Sequence, residues 1–181
     1  LDFTQELFEI AEKRVYYFYR TLNIVRSLID KNRSDGVNLL KDFADSIVTD
    51  FKLAMNDNLN TALAISGLST QFVEINRFLA NADVNIEDKI ASLKYFMEQF
   101  NVVSDVIKIF DEIPENYLAQ AKDHLLEKSG VTIDYVEEQI RRRREAKLEK
   151  NFELSDSLRK ELQNKGIELH DRPDGTGWDF L

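Results

Sequence analysis

The stretch RRRREAKLEKNFELSDSLRKELQNKGIELHDRPDGTGWDFL, residues 141–181, changes its apolar period within one short span. Leu154, Leu158 and Leu162 recur every four residues, the spacing of one helical face, behind Asn151, a residue type that caps helices. Gly166 follows where a left-handed C′ residue belongs. From Ile167 the period becomes two, with Ile167, Leu169 and Asp171 alternating with Glu168 and His170 as in a strand. Pro173-Asp174-Gly175 is a turn signal, and Thr176 to Phe180 can return as a second strand. Upstream, Thr132-Ile133-Asp134 starts another helix that carries Tyr135, Val136 and Ile140 into the four arginines. The reading is a small α+β unit of two helices and a C-terminal β-hairpin.

The chain ahead of this unit is helical in pattern. Leu7, Ile10, Val15, Phe18, Leu22, Val25 and Ile29 form one stripe behind Thr4, a plausible cap, and Ser34-Asp35-Gly36 breaks it. A second stripe runs from Val37 to Met55, and Asn56 to Thr61 interrupts it, with Asn58 or Asn60 as the cap of a third that reaches Leu79. A fourth is expected from Ile86 to Phe110, and Pro114 opens a short helix through Leu118 to Leu126. Four such stripes on short connections predict an antiparallel bundle, because each apolar face is covered only by the others. The fold class is mainly α. The expected domains are a helical bundle over 1–130 and the α+β unit over 131–181, divided at Gly130.

Composition narrows the chemistry. Twelve Phe and six Tyr in 181 residues supply the bodies of a packed core. A net charge of −9 argues against a protein that coats DNA, which needs a surplus of Lys and Arg. Residues 139–150 nevertheless carry six basic side chains against two acidic ones, and a basic strip on an acidic body favours a defined nucleic-acid contact. Without cysteine there is no thiolate nucleophile and no cysteine-held zinc, and His124 and His170 are not spaced as metal ligands. No apolar run approaches the roughly 18 residues of a membrane span, and the N-terminus lacks a signal-peptide pattern, so the expected location is the cytoplasm. The chain opens at Leu1 without methionine and already in a helical pattern, as a piece of a longer protein would.

The candidate site residues lie in the closing unit. Arg143, Lys147 and Lys150 fall at i, i+4 and i+7, which would put three cations on one helical face beside Arg144; the alternative is a solvated face paired with Glu145 and Glu149. Asp156 is either the partner of Lys160 at i, i+4 or a carboxylate that accepts hydrogen bonds from a base edge. Asp171 has the same functional reading beside turn initiation before Pro173, Phe152 is a staple or a stacking platform, and Trp178 is a core plug or an aromatic for unpaired bases. No phosphate loop, Ser-His-Asp set or metal cluster emerges, so no catalytic residue is assigned.

The order of motifs resembles one family. Arg143-Arg144-Glu145-Ala146-Lys147, Asn151-Phe152, Ser155-Asp156-Ser157-Leu158-Arg159-Lys160-Glu161-Leu162, Gly166-Ile167-Glu168-Leu169-His170-Asp171 and Gly175-Thr176-Gly177-Trp178 look like the closing pattern of cysteinyl-tRNA synthetases. Phe51-Lys52-Leu53-Ala54-Met55-Asn56-Asp57-Asn58-Leu59-Asn60-Thr61 resembles a second motif of that family, and Leu1-Asp2-Phe3-Thr4 its handover from the catalytic portion. The resemblance implies the C-terminal part of a class I synthetase that joins cysteine to its tRNA with ATP, Mg and Zn. It further implies a DALR-type bundle and a reader of the GCA anticodon, with the nucleotide-binding domain, its HIGH and KMSKS motifs and its zinc ligands outside this chain. The implied partners are the anticodon stem-loop of cysteine tRNA and that catalytic domain, with neither membrane nor DNA. Arg143, Arg144, Lys147, Lys150, Phe152, Asp156, Asp171 and Trp178 would be the tRNA-binding set. Lys147 stands where the family has arginine, Phe152 where it has tryptophan, His170 where it has glutamate and Ala62 where it has proline. The rival expectation is a non-catalytic helical protein-interaction module.

Overall fold

A computed structural model describes residues 4–32, 34–172 and 175–180. Among them, seven helices precede one antiparallel hairpin, the mainly α class with a terminal β-hairpin that the patterning predicts. The expected turn at Pro173-Asp174-Gly175 and the opening motif at Leu1-Asp2-Phe3 fall partly or wholly outside the described residues. The chain forms two compact units, Leu1–Leu118 and Ala119–Leu181. The sequence punctuation at Gly130 falls later, at the end of a helix whose first residues belong to the first unit.

The first unit is built from α1 (Gln5–Lys31), α2 (Lys41–Asn56), α3 (Thr61–Ala80), α4 (Ile86–Ile107) and the start of α5 (Pro114–Ser129). α1 and α2 each pack against both α3 and α4, which sets α1 and α2 at opposite corners of the bundle. Thr4 caps α1 by accepting from the Leu7 N–H at 3.3 Å, and the Asn60 amide oxygen caps α3 by accepting from the Leu63 N–H at 3.0 Å. Of the two candidate caps, Asn60 is therefore the one used, and Asn58 and Leu59 turn the chain into it with positive φ values of 52° and 56°. Asn60→Ala is expected to destabilise the bundle by about 1 kcal/mol, read as a lower urea midpoint at unchanged slope.

Two helix boundaries differ from the sequence expectation, each for a local reason. α2 begins at Lys41 rather than Val37, because the Val37 and Leu39 N–H groups donate to Asp88 Oδ1 (2.6 Å) and Ser92 Oγ (2.8 Å) on α4. The same crossing explains Gly36, where a β-carbon would overlap the Glu87 backbone. α4 stops at Ile107 rather than Phe110, since Lys108 takes a left-handed conformation with φ 54°. That bend folds Phe110 back into the core, where Phe72 also lies against Phe18, Phe96 and Phe100.

The second unit holds the remainder of α5, then α6 (Ile133–Leu148), α7 (Phe152–Asn164), β1 (Ile167–Arg172) and β2 (Gly175–Phe180). Thr132 and Asn151 cap α6 and α7 by accepting from the Tyr135 and Leu154 N–H groups at 3.2 and 3.1 Å. Gly166 turns out of α7 with φ 79°, a conformation that glycine adopts without a β-carbon penalty. The strands pair Ile167 with Phe180, Leu169 with Trp178 and Asp171 with Thr176. Ile167, Leu169 and Phe180 are buried with Val136, Ala146, Leu158 and Leu162, so this face of the hairpin is the inner one. Leu154, the first leucine of the expected stripe, is exposed.

Candidate nucleic-acid interface

Asp171 lies on the inner face of β1, toward the turn end of the hairpin, where the core gives way to solvent. Its carboxylate is a junction. Oδ1 accepts from Arg143 Nη1 at 2.7 Å and from Thr176 Oγ1 at 2.9 Å. Oδ2 accepts from Arg143 Nη2 at 2.8 Å and from Lys147 Nζ at 3.0 Å. The Arg143 fork beside Asp171 holds the carboxyl well below the usual carboxylate range against the opposing effect of burial, with Lys147 and Thr176 adding to it. The same hydrogen bonds raise the Arg143 guanidinium, with the charges of Asp171 and then Asp156 contributing after burial has opposed them.

Arg143 departs most from its sequence reading. Its side chain is only 5% exposed, so it is not part of a cationic face turned to solvent. The cause is helical phase: Val136, Gln139, Arg143 and Ala146 are the buried residues of α6 and follow one another at three- and four-residue steps. Its two terminal nitrogens are committed to Asp171, while the buried Nε has no hydrogen-bond partner among the described residues. Lys147, one turn on, is 43% exposed and reaches the same carboxylate only through the tip of its stem. Lys150 is exposed just beyond the helix, in a left-handed conformation with φ 59°, and Arg144 is exposed on α6. The i, i+4, i+7 series therefore runs from a buried strut to a half-open contact to a solvated ammonium.

The remaining predicted residues divide. Phe152 opens α7 with its ring 64% exposed, and Asp156, one turn later, is exposed in a shallow surface lined also by Glu153, Ser157, Lys160, Glu161 and Asn164. Asp156 makes no hydrogen bond or ion pair with any described residue, so of its two readings the i, i+4 pair with Lys160 is not formed. The structure thus brings Arg143, Lys147 and Asp171 together, with Asp156 exposed on α7 of the same unit. Trp178 makes contacts of its own. Its Nε1–H donates to Glu137 Oε1 at 3.1 Å, the Lys122 ammonium sits 3.4 Å over its ring, and Phe180 meets it edge-on. Burial pushes the Lys122 ammonium down. One face of the indole is therefore already occupied by a cation, the arrangement of an internal anchor.

Sequence reasoning missed Thr176, Glu137 and Lys122 as partners. Thr176 was legible in principle from a six-residue hairpin register, whereas Glu137 and Lys122 meet Trp178 only through tertiary packing. Among the described residues no group of three or more His, Asp or Glu side chains converges as a metal site, and no helix is long and apolar enough to cross a membrane.

The fold and site define a helical bundle followed by a small α+β unit with a half-open carboxylate and cation cluster. No protein-family model matches the chain. Curated relatives do, from end to end. A chloroplastic and mitochondrial cysteine–tRNA ligase of Zea mays is 30% identical over 98% of this chain and 32% of its own length. Cysteine–tRNA ligases of Oleidesulfovibrio alaskensis and Nitratidesulfovibrio vulgaris are each 28% identical, over 99% and 100% of this chain and 38% of their own lengths. The similarity to cysteine–tRNA ligases thus runs along the whole chain, consistent with the resemblance read from the motifs. The chain spans about a third of the length of the curated relatives it matches.

Proposed function

We propose that this chain is the tRNA-binding C-terminal portion of a cysteine–tRNA ligase, and that its closing unit recognises the GCA anticodon of cysteine tRNA. A catalytic domain elsewhere in the full-length protein then attaches cysteine, with ATP, Mg and Zn belonging to that domain. The domains of this reading are a bundle over 1–130 that lies along the anticodon stem and a reader over 131–181, and its place is the cytoplasm. The observation that carries it is the half-open Lys147–Asp171 contact, on the same unit as the exposed Asp156 and Phe152. Those are the parts a single-strand reader needs: a ring for stacking, carboxylates for exocyclic donors and cations for phosphates. Carboxylates repel phosphate, so Asp156 supplies selectivity, while Lys147, Lys150 and Arg144 supply affinity. Arg143 and Trp178 serve the site from beneath, by holding Asp171 and the hairpin.

The test titrates the chain with an anticodon stem-loop bearing GCA and with loops carrying one swapped base each. Phe152→Ala is expected to weaken binding to all loops by about 1–3 kcal/mol, the worth of one stacked base. Asp156→Asn is expected to leave overall binding within about threefold while eroding the preference for GCA. Equal binding to all loops, or none, favours the rival protein-interaction module.

A further inference from the structure

A carboxylate offers about four lone-pair sites to hydrogen-bond donors. Asp171 has four donors on them: two from Arg143, one from Thr176 and one from Lys147, all between 2.7 and 3.0 Å. In this state Asp171 has no acceptor site left for a nucleotide, so reading a base requires that one donor leave. Arg143 is held by a two-point fork and by burial, and its departure would strand a charge inside the unit. Thr176 faces Asp171 across the strand pair and donates to Oδ1 from a short, rotamer-restricted side chain on a paired strand, which holds it there. Lys147 alone combines one contact, a flexible four-carbon stem and substantial exposure to water.

We infer that the Lys147 ammonium is a place-holder: it occupies the Asp171 site that a base donor takes, and on RNA binding it passes to a backbone phosphate while Arg143 keeps the carboxylate in position. The inference rests on the anticodon reading and says how that reader is armed. The exchange leaves no group unpaired. The ammonium leaves a carboxylate for a phosphate, and the carboxylate leaves an ammonium for an exocyclic amine. Until RNA arrives, Lys147 also shields a carboxylate that would repel an approaching phosphate. Lys147 is thereby a phosphate contact in the complex and Arg143 a positioning residue.

The experiment uses the whole 181-residue chain, the GCA stem-loop and its single-base swaps, titrated across a series of KCl concentrations. Lys147→Met is expected to reduce the slope of log K against log salt by about 0.7–0.9, one phosphate contact fewer, while preference for GCA stays within about twofold of the wild type. Lys147→Arg restores the slope. Because Lys147 is exposed, Trp178 fluorescence and far-UV dichroism should be those of the wild type, and Arg143→Gln should instead lose the preference at unchanged slope. An unchanged slope in Lys147→Met overturns the inference, as does a lost preference, while selective binding by the wild type still upholds the anticodon reading. A wild-type chain that treats all loops alike overturns that reading and the inference together.

Discussion

Asp171→Ala is expected to lower the unfolding free energy of the terminal unit by about 3 kcal/mol, the lower end of the cost of leaving a buried charge without its partner. The charge left behind is that of Arg143, 5% exposed, and no other described carboxylate hydrogen-bonds its guanidinium. Arg143→Met should cost less, about 1–2 kcal/mol, because Asp171 is 46% exposed, rehydrates, and keeps Lys147 and Thr176. The double variant is expected to resemble Arg143→Met rather than the sum of the two, since neither charge is then stranded. Urea unfolding followed by the single tryptophan measures this, as Trp178 lies within the unit concerned. Equal losses in the two single variants would show that the pair is not asymmetric in the way its burial requires.

The pH dependence follows from the same pair. Asp171 is depressed in the folded state, so its contribution is fully present above the unfolded value of about 3.9 and is lost as pH falls through the lower folded value. The stability difference between wild type and Asp171→Ala should therefore be flat from about pH 5 to 8 and shrink only below about pH 4.

Phe72→Ala is expected to cost the bundle about 3–5 kcal/mol. Phe72 is fully buried, with ring centroids of Phe18 at 4.6 Å, Phe100 at 5.4 Å, Phe96 at 6.2 Å and Phe110 at 6.4 Å. Its removal opens a cavity bounded by α1, α4 and the segment after α4, walls that cannot close at once without moving a backbone. Phe8→Ala, at a ring 65% exposed, is the control and should stay within about 0.5 kcal/mol. Far-UV dichroism reads the bundle and Trp178 fluorescence the terminal unit, which separates the two effects.

Much of this was legible in the chain. The stripes at helical period, the caps at Thr4, Thr132 and Asn151, the glycine after α7 and the change to a period of two at Ile167 each correspond to an observed element. These are local features, set by backbone sterics and by which face of one segment is apolar. The two shifted boundaries arose where distant side chains, Asp88 and Ser92, took backbone donors that local pattern would have given to a helix. The site was legible as a set of residue types. Its internal division was not, although the seven-residue step from Val136 to Arg143 already put that arginine on the inner stripe.

What the linear order determined by itself was the class of fold, the caps at Thr4, Thr132 and Asn151, and the motif order that resembles cysteine–tRNA ligases, because each depends on neighbours a few residues away. What only the folded chain decided was which charges face water. Arg143 and Asp171 are 28 residues apart in sequence, and whether a guanidinium is a free cation or a buried strut depends on the carboxylate that packing sets against it.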